Sequence, residues 1–207
     1  MNPTLKAMLS AAAILGVFSV VGIGLVALVH SGTAERIEKN QRRALLENLQ
    51  DLLPAKSYDN DILHDAIEAT APEPGMKPMT VYRARKEGKP VAAVLAPVAP
   101  DGYSGEIRLL VAVKTDGTVA GVRALVHKET PGLGDFIDEN KSRWIFSFDG
   151  LSLGNPPLSQ WKVKRDGGSF DQLAGATVTP RAVVKTVRKT LEFFEKKKNY
   201  LFAEKAQ

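Results

Sequence analysis

Gly105-Glu-Ile-Arg-Leu-Leu-Val-Ala-Val-Lys114, Thr115-Asp116-Gly117-Thr118 and Val119-Ala-Gly-Val-Arg-Ala-Leu-Val-His127 read together as two strands joined by a turn. Asp-Gly between two apolar runs is a strong short-range hairpin signal, because a tight hairpin needs positive φ angles that these residues tolerate. Ile107, Leu109, Val111 and Val113 alternate onto one face. Leu110 and Ala112, on the other face, are also apolar, so the strand is expected to be covered on both sides.

A second hairpin is predicted upstream, with strands Val81 to Arg85 and Pro90 to Pro97 around the turn Lys86-Glu87-Gly88-Lys89. Downstream, the sequence predicts a helix from Gly134 to about Asn140, a Trp144–Phe148 segment, Trp161-Lys162-Val163, and a long helix from Pro180. The last carries an apolar stripe of Val183, Val187, Leu191 and Phe194. Upstream, Glu35 to Leu53 reads as a helix closed by Pro54, with Ile37, Leu45, Leu49 and Leu52 near helical spacing. Asp59 to Ala69 reads as a second, short helix, and Ala71-Pro72-Glu73-Pro74-Gly75 as a linker. The fold class is α+β, an antiparallel sheet with helices packed on it, and no internal repeat is evident.

The 207 residues include one strongly apolar segment, which leaves room for one globular domain of ordinary size and a stalk. Met8 to Val29 carries no charge, and its 22 residues meet the roughly 20 that a membrane-spanning helix needs. A secretory signal is the alternative, since Lys6 precedes the segment and Ser31-Gly32-Thr33-Ala34 offers small residues for cleavage. Signal cores run only about 7–15 residues, which favours a retained anchor. The resulting division is an N-terminus over 1–7, a transmembrane helix over 8–29, a helical stalk and linker over 30–78, and the globular domain over 79–207. A literal positive-inside count, Lys6 and the terminal amine against Arg36, Lys39, Arg42 and Arg43, would leave that domain in the cytoplasm.

The formal charge is +5, and much of the basic excess lies in the last helix, including Lys196-Lys197-Lys198. Lysines there complement the negative end of the helix dipole, and no basic and aromatic interleaving suggests a nucleic-acid partner. With no cysteine, thiolate metal sites, thiol nucleophiles and Fe–S ligation by this chain are excluded. His127, His30 and His64 lie in unrelated contexts, so no metal is assigned. No nucleophile, base and orienting group form a visible set, so hydrolase chemistry has no support. Trp144 and Trp161 are expected in the core.

The stretch Asp171-Gln-Leu-Ala-Gly-Ala-Thr177 runs into Val178-Thr179-Pro180. Thr179 is the expected N-cap and Pro180 the first helical residue, with Thr177 two residues ahead of the cap. Free N–H groups and the positive end of the dipole make this a place for an anion, with Arg181 adding charge. A plain loop and capped helix is the other reading.

These residues carry a resemblance. Asp171-x-x-Ala174-Gly175-Ala176-Thr177 resembles the signature of domains that hold FMN esterified through its phosphate to the final threonine. His127-Lys128-Glu129-Thr130-Pro131-Gly132-Leu133-Gly134 resembles the Glu-Thr-Pro-Gly-Leu-Gly loop of the same domains, and Gly102-Tyr103-Ser104-Gly105 their Gly-Tyr element. With the single apolar segment, the order of motifs is similar to the G-subunit family of the Rnf (Rsx) ion-translocating electron-transport complexes, over nearly the whole chain. The C subunits of sodium-translocating NADH:quinone reductases are close cousins, which usually have Ser where Ala174 stands.

The resemblance implies FMN carried covalently on Thr177, attached by a separate flavin transferase from FAD, since an unactivated threonine does not attack FAD unaided. It implies that Gly175, Ala176, Asp171 and Thr179 shape the attachment site and that Glu129, Thr130, Gly132, Leu133 and Gly134 flank the isoalloxazine. Loop N–H groups would bond the carbonyl edge of the ring, and Tyr103 would stack on it or shield it. It also implies a single-pass protein of the bacterial inner membrane with its domain exported to the periplasm, in a ferredoxin- and NAD-linked complex of membrane and peripheral subunits. No catalytic residue is expected in this chain itself. A stand-alone exported flavoprotein and a cofactor-free, membrane-anchored assembly module are the alternatives.

Overall fold

The computed structural model describes residues 2–70 and 77–203. The chain divides into two units, Met1–Glu47 and Asn48–Gln207. The first is formed by helix α1, which runs from Pro3 to Leu52 and ends inside the second unit. It contains a stretch long and apolar enough to cross a membrane. α1 is continuous through residue 30, where the sequence divides a membrane part from a stalk part. Ser31 and Thr33 remain helical by turning their hydroxyls back onto the Leu28 and Val29 carbonyls, 3.0 and 2.7 Å away, so Ser-Gly-Thr makes no break. Two exposed pairs, Lys39–Glu35 and Arg43–Glu47, follow at helical spacing and contribute little each.

The second unit is an antiparallel sheet of β1 (Ala66–Ala69), β2 (Met79–Lys86), β3 (Lys89–Leu95), β4 (Val98–Gly102), β5 (Gly105–Lys114) and β6 (Val119–Val126). Helix α2 (Val178–Phe202) packs on it. β5 is the centre of the sheet. On one edge it pairs with β3 through Leu95↔Val111 and then with β4 through Val98↔Arg108; on the other it pairs with β6. Both expected hairpins are present. At the first turn, Glu87 and Gly88 take φ of +51° and +74°. At the second only Gly117 is left-handed, at +86°, while the Asp116 carboxylate accepts the Thr118 N–H at 2.8 Å, which holds that carboxyl below the usual carboxylate range.

The region Asp59 to Ala69 is not a helix. Asp61 Oδ1 accepts the N–H groups of Leu63 and His64 in a tight turn, and Ala66–Ala69 then pairs with Met79–Tyr82 as an edge strand. Ladder bonds to β2 outweigh the weak helical preference of so short a segment. β4, unforeseen in the sequence, completes the edge of β5. The helix expected from Gly134 to Asn140 shrinks to one 3-10 turn, Gly134–Ile137, and Trp144–Phe148 is a second. The linker at Ala71–Gly75 lies outside the described residues.

Ile107, Leu109, Val111 and Val113 face a core completed by Val183, Val187, Leu191 and Phe194 of α2, all at most 1% exposed. Trp161 lies in that core against Phe148 and Phe170, at centroid distances of 6.2 and 5.3 Å. The opposite face is also covered. Leu110, Ala112, Ala92 and Val94 are buried outside that cluster, as are Leu49, Leu52, Leu53 and Ile62. Leu52 reaches so close to Gly121 that a Cβ there would stand 2.8 Å from its Cδ2.

Leu49 is fully buried at the end of α1. Leu49→Ala is expected to lower the stability of the second unit by about 2–5 kcal/mol, read as a reduced urea midpoint. An unchanged midpoint would show that this helix end is not part of the core.

Candidate functional site

Three segments meet at the first turn of α2: the β4–β5 turn around Tyr103, the 127–135 loop and the 173–179 approach to the helix. They enclose a cleft of about 320 Å³ lined by Tyr103, Glu129, Thr130, Leu133, Gly134 and Gly175 to Thr179. Nine of the residues singled out in the sequence are therefore neighbours in space. Gly132 and Asp171 are not among the lining residues, and Val178, exposed on the cleft, was not singled out.

The 173–179 approach is a tight turn. Leu173 and Ala176 bridge, the Ala176 N–H bonds the Leu173 carbonyl at 3.1 Å, and Gly175 supplies the left-handed residue at φ +85°. The N-cap of α2 is Thr177, not Thr179 as expected. Its carbonyl accepts the Arg181 N–H at 3.3 Å, while its side chain makes no capping bond. Thr179 cannot cap because its hydroxyl, 1% exposed as a residue, donates instead to the Glu129 carboxylate. Pro180 sits in the first turn, where a missing N–H costs nothing. Thr177 Oγ1 thus stands at the positive end of the helix, beside first-turn N–H groups that have no intrahelical acceptor.

The cation at that oxygen was missed in the sequence. Arg165 Nη1 lies 3.4 Å from Thr177 Oγ1, delivered by a 3-10 turn at Lys164–Asp166. Nothing local marks Arg165, since it is twelve residues upstream and only the fold brings it near. Arg181, expected to add charge here, is occupied by a fork of bonds to Asp166 at 2.7 and 2.8 Å, and lines a different cavity with Trp161 and Arg188. That bonding holds the Asp166 carboxyl below the usual carboxylate range and raises the Arg181 guanidinium. Asp171 pairs with Lys164 at 2.6 Å and accepts the Trp144 indole N–H on its carbonyl at 2.8 Å, which fixes the start of the approach.

The 127–135 loop is rigid through its own bonds. The Thr130 carbonyl collects the N–H groups of Leu133, Gly134 and Asp135, and buried Asp135 accepts the Gly132 N–H at 2.7 Å. The N–H groups of Gly132, Leu133 and Gly134 are therefore already used. Glu129, 4% exposed, accepts the Ser104 N–H at 3.0 Å and the Thr179 hydroxyl, joining all three segments. Gly134 has to be glycine because a Cβ would stand 2.7 Å from Glu129 Oε2 and 2.9 Å from Thr179 Oγ1.

Residues 102–192, which contain the cleft, match the model of the FMN-binding domain, and residues 1–52 match that of the RnfG N-terminal region. The chain is 50% identical over 202 residues to the G subunit of the ion-translocating oxidoreductase complex of Pseudomonas aeruginosa, covering 97% of this chain and 94% of that one. It belongs to the G-subunit family of ion-translocating oxidoreductase complexes. The G subunits of Pseudoalteromonas atlantica and Vibrio cholerae are each 45% identical, covering 92% and 87% of this chain and 89% and 87% of theirs.

The geometry fits a flavin mononucleotide. The cleft volume falls in the range of small-molecule sites, about 300–1,000 Å³. Tyr103, Leu133 and Val178 give it apolar walls, and the helix start with Arg165 offers a place for a phosphate. Gly134→Ala is expected to force Glu129 and Thr179 apart and to cost about 1–3 kcal/mol, measured by thermal unfolding. Wild-type stability with alanine would mean that the contact yields freely.

Proposed function

We propose that Thr177 carries FMN as a phosphate ester on its Oγ1 and that the chain is an electron-transfer subunit, one station in the electron path of its complex. The observation that carries this reading is the setting of Thr177: its oxygen lines the cleft at the N-cap of α2 and meets the Arg165 guanidinium. FMN, when bound, supplies one- and two-electron redox chemistry.

The chain's own residues then have separable tasks. First-turn N–H groups of α2 and Arg165 neutralise the phosphodiester charge. The turn at Gly175 presents the threonine outward, where a transferase can reach it. Tyr103, Leu133 and Val178 hold the faces and edges of the ring, while Gly134 allows close approach. Thr177 itself is the anchor and takes no part in electron transfer. A flavin transferase forms the Thr177 Oγ1–phosphorus bond and breaks the anhydride of FAD, with AMP leaving and the hydroxyl proton lost. Supporting this, the carboxylate among the described residues that line the cleft, Glu129, is bonded to Thr179 and Ser104 and not to Thr177.

In the same reading the Met8–Val29 stretch anchors the protein in the bacterial inner membrane with the domain in the periplasm, and the complex links ferredoxin and NAD. A cofactor that cannot diffuse away suits an exported domain with no local supply of free flavin.

Co-expression with a flavin transferase, denaturing electrophoresis and in-gel fluorescence test the attachment. Thr177→Ala is expected to abolish the fluorescent band and the FMN increment in intact mass while the protein still folds. Arg165→Ala should lower flavin incorporation severalfold without abolishing it. A fluorescent alanine variant at position 177 would overturn the assignment.

A further inference from the structure

Among the described residues, two carboxylates around the cleft are buried without an ion pair, Glu129 and Asp135, and of the two Glu129 lines the cleft while Asp135 does not. Asp166 has Arg181, Asp171 has Lys164 and Asp101 has Lys185. Glu129 is the most buried of these four, yet among the described residues it has no ion pair with a lysine, arginine or histidine. Among the described residues its carboxylate is met by two neutral donors, the Ser104 N–H and the Thr179 hydroxyl. His127 is turned to the backbone, its Nδ1 accepting the Glu129 N–H at 3.3 Å. Arg165 is directed to Thr177 Oγ1, 3.4 Å away.

Space is also kept for this group. A Cβ at Gly134 would stand 2.7 Å from Glu129 Oε2, whereas one at Gly102 would meet the Gly105 carbonyl at 2.2 Å before it reached Glu129 Oε1 at 3.0 Å. Burying a carboxylate without a cation is costly, and a glutamine of the same shape would accept the Ser104 bond without that cost. A purely structural clamp does not require the charge.

We propose that Glu129, through its buried and cation-free charge on the cleft wall, holds the reduction potential of the bound flavin down, besides positioning the first turn of α2. This rests on the reading that FMN occupies the cleft beside Thr177. A fixed negative charge in a poorly solvated site opposes the arrival of electrons, and the Thr179 and Ser104 donors offset part of it. The two effects have opposite signs on substitution.

The test is spectroelectrochemical titration of the full-length flavin-loaded protein in detergent against a dye of known potential. Glu129→Gln is expected to shift the equilibrium toward reduced flavin by about tenfold. Thr179→Val removes the hydroxyl donor and is expected to shift it the other way. Asp166→Asn, at an exposed pair, should leave it unchanged. A flavin-loaded Glu129→Gln with the wild-type potential, or an equal shift in Asp166→Asn, overturns the inference while covalent attachment stands. Loss of flavin from both Glu129→Gln and Thr179→Val also overturns it, in favour of a structural role alone. Wild-type protein without flavin would instead overturn the function proposed above.

Discussion

The hydrogen bonds converging on Glu129 are the constraint from which the site follows. Three segments distant in sequence, at residues 102–105, 127–135 and 173–179, meet on one carboxylate. Because the Thr179 hydroxyl is drawn inward to that carboxylate, the helix takes its cap two residues earlier, at Thr177. The side chain of Thr177 is thereby left outward and uncommitted to the backbone. One buried bond thus decides which of two threonines is structural and which is presented on the cleft. The same bond crowds Gly134, where a Cβ would press on both Glu129 Oε2 and Thr179 Oγ1.

That arrangement is sustained by a sheet covered on both faces. α2 and the aromatic cluster of Phe148, Trp161 and Phe170 fill one side, and Leu49, Leu52, Leu53 and Ile62 belong to the other. β5 is the strand most dependent on both layers, since its residues from Leu109 to Val113 are all fully buried. The cleft, by contrast, is built from turns at the sheet's margin, where exposed apolar groups such as Tyr103 and Leu133 remain available. A rigid platform carrying irregular, exposed segments is the usual division between stability and function.

Much of this was legible in the sequence where the signal is local. The two hairpins announce themselves through alternation and turn chemistry, and α2 through its apolar stripe. β1 and β4 are short, and Ala66-Ile-Glu-Ala has no strand signature of its own; each exists because a neighbouring strand offers a ladder of bonds. The 134–140 helix failed because the Thr130 carbonyl and Asp135 draw the loop's N–H groups into a compact turn. The motifs indicated which segments converge, but not which atoms meet. Arg165 could not be found, since its nearness to Thr177 is a product of the fold, and Arg181 attracted attention only by standing close in sequence.

α2 is fastened at its far end as well. Arg83 and Arg85 of β2, both bound to Asp65, donate to the Ala203 and Phe202 carbonyls at 2.6 and 3.1 Å. A helix gripped by a carboxylate network at its positive pole and by guanidinium groups at its negative pole is unable to slide or turn about its axis without breaking one of the two. With 25 residues at about 1.5 Å each, it is a strut of nearly 40 Å. Residue 177 is thus clamped at the tip of a beam braced at both supports. Whatever hangs from that tip swings only as far as its own rotatable bonds allow, so its distance to a neighbour is set by the scaffold and not by a wandering loop.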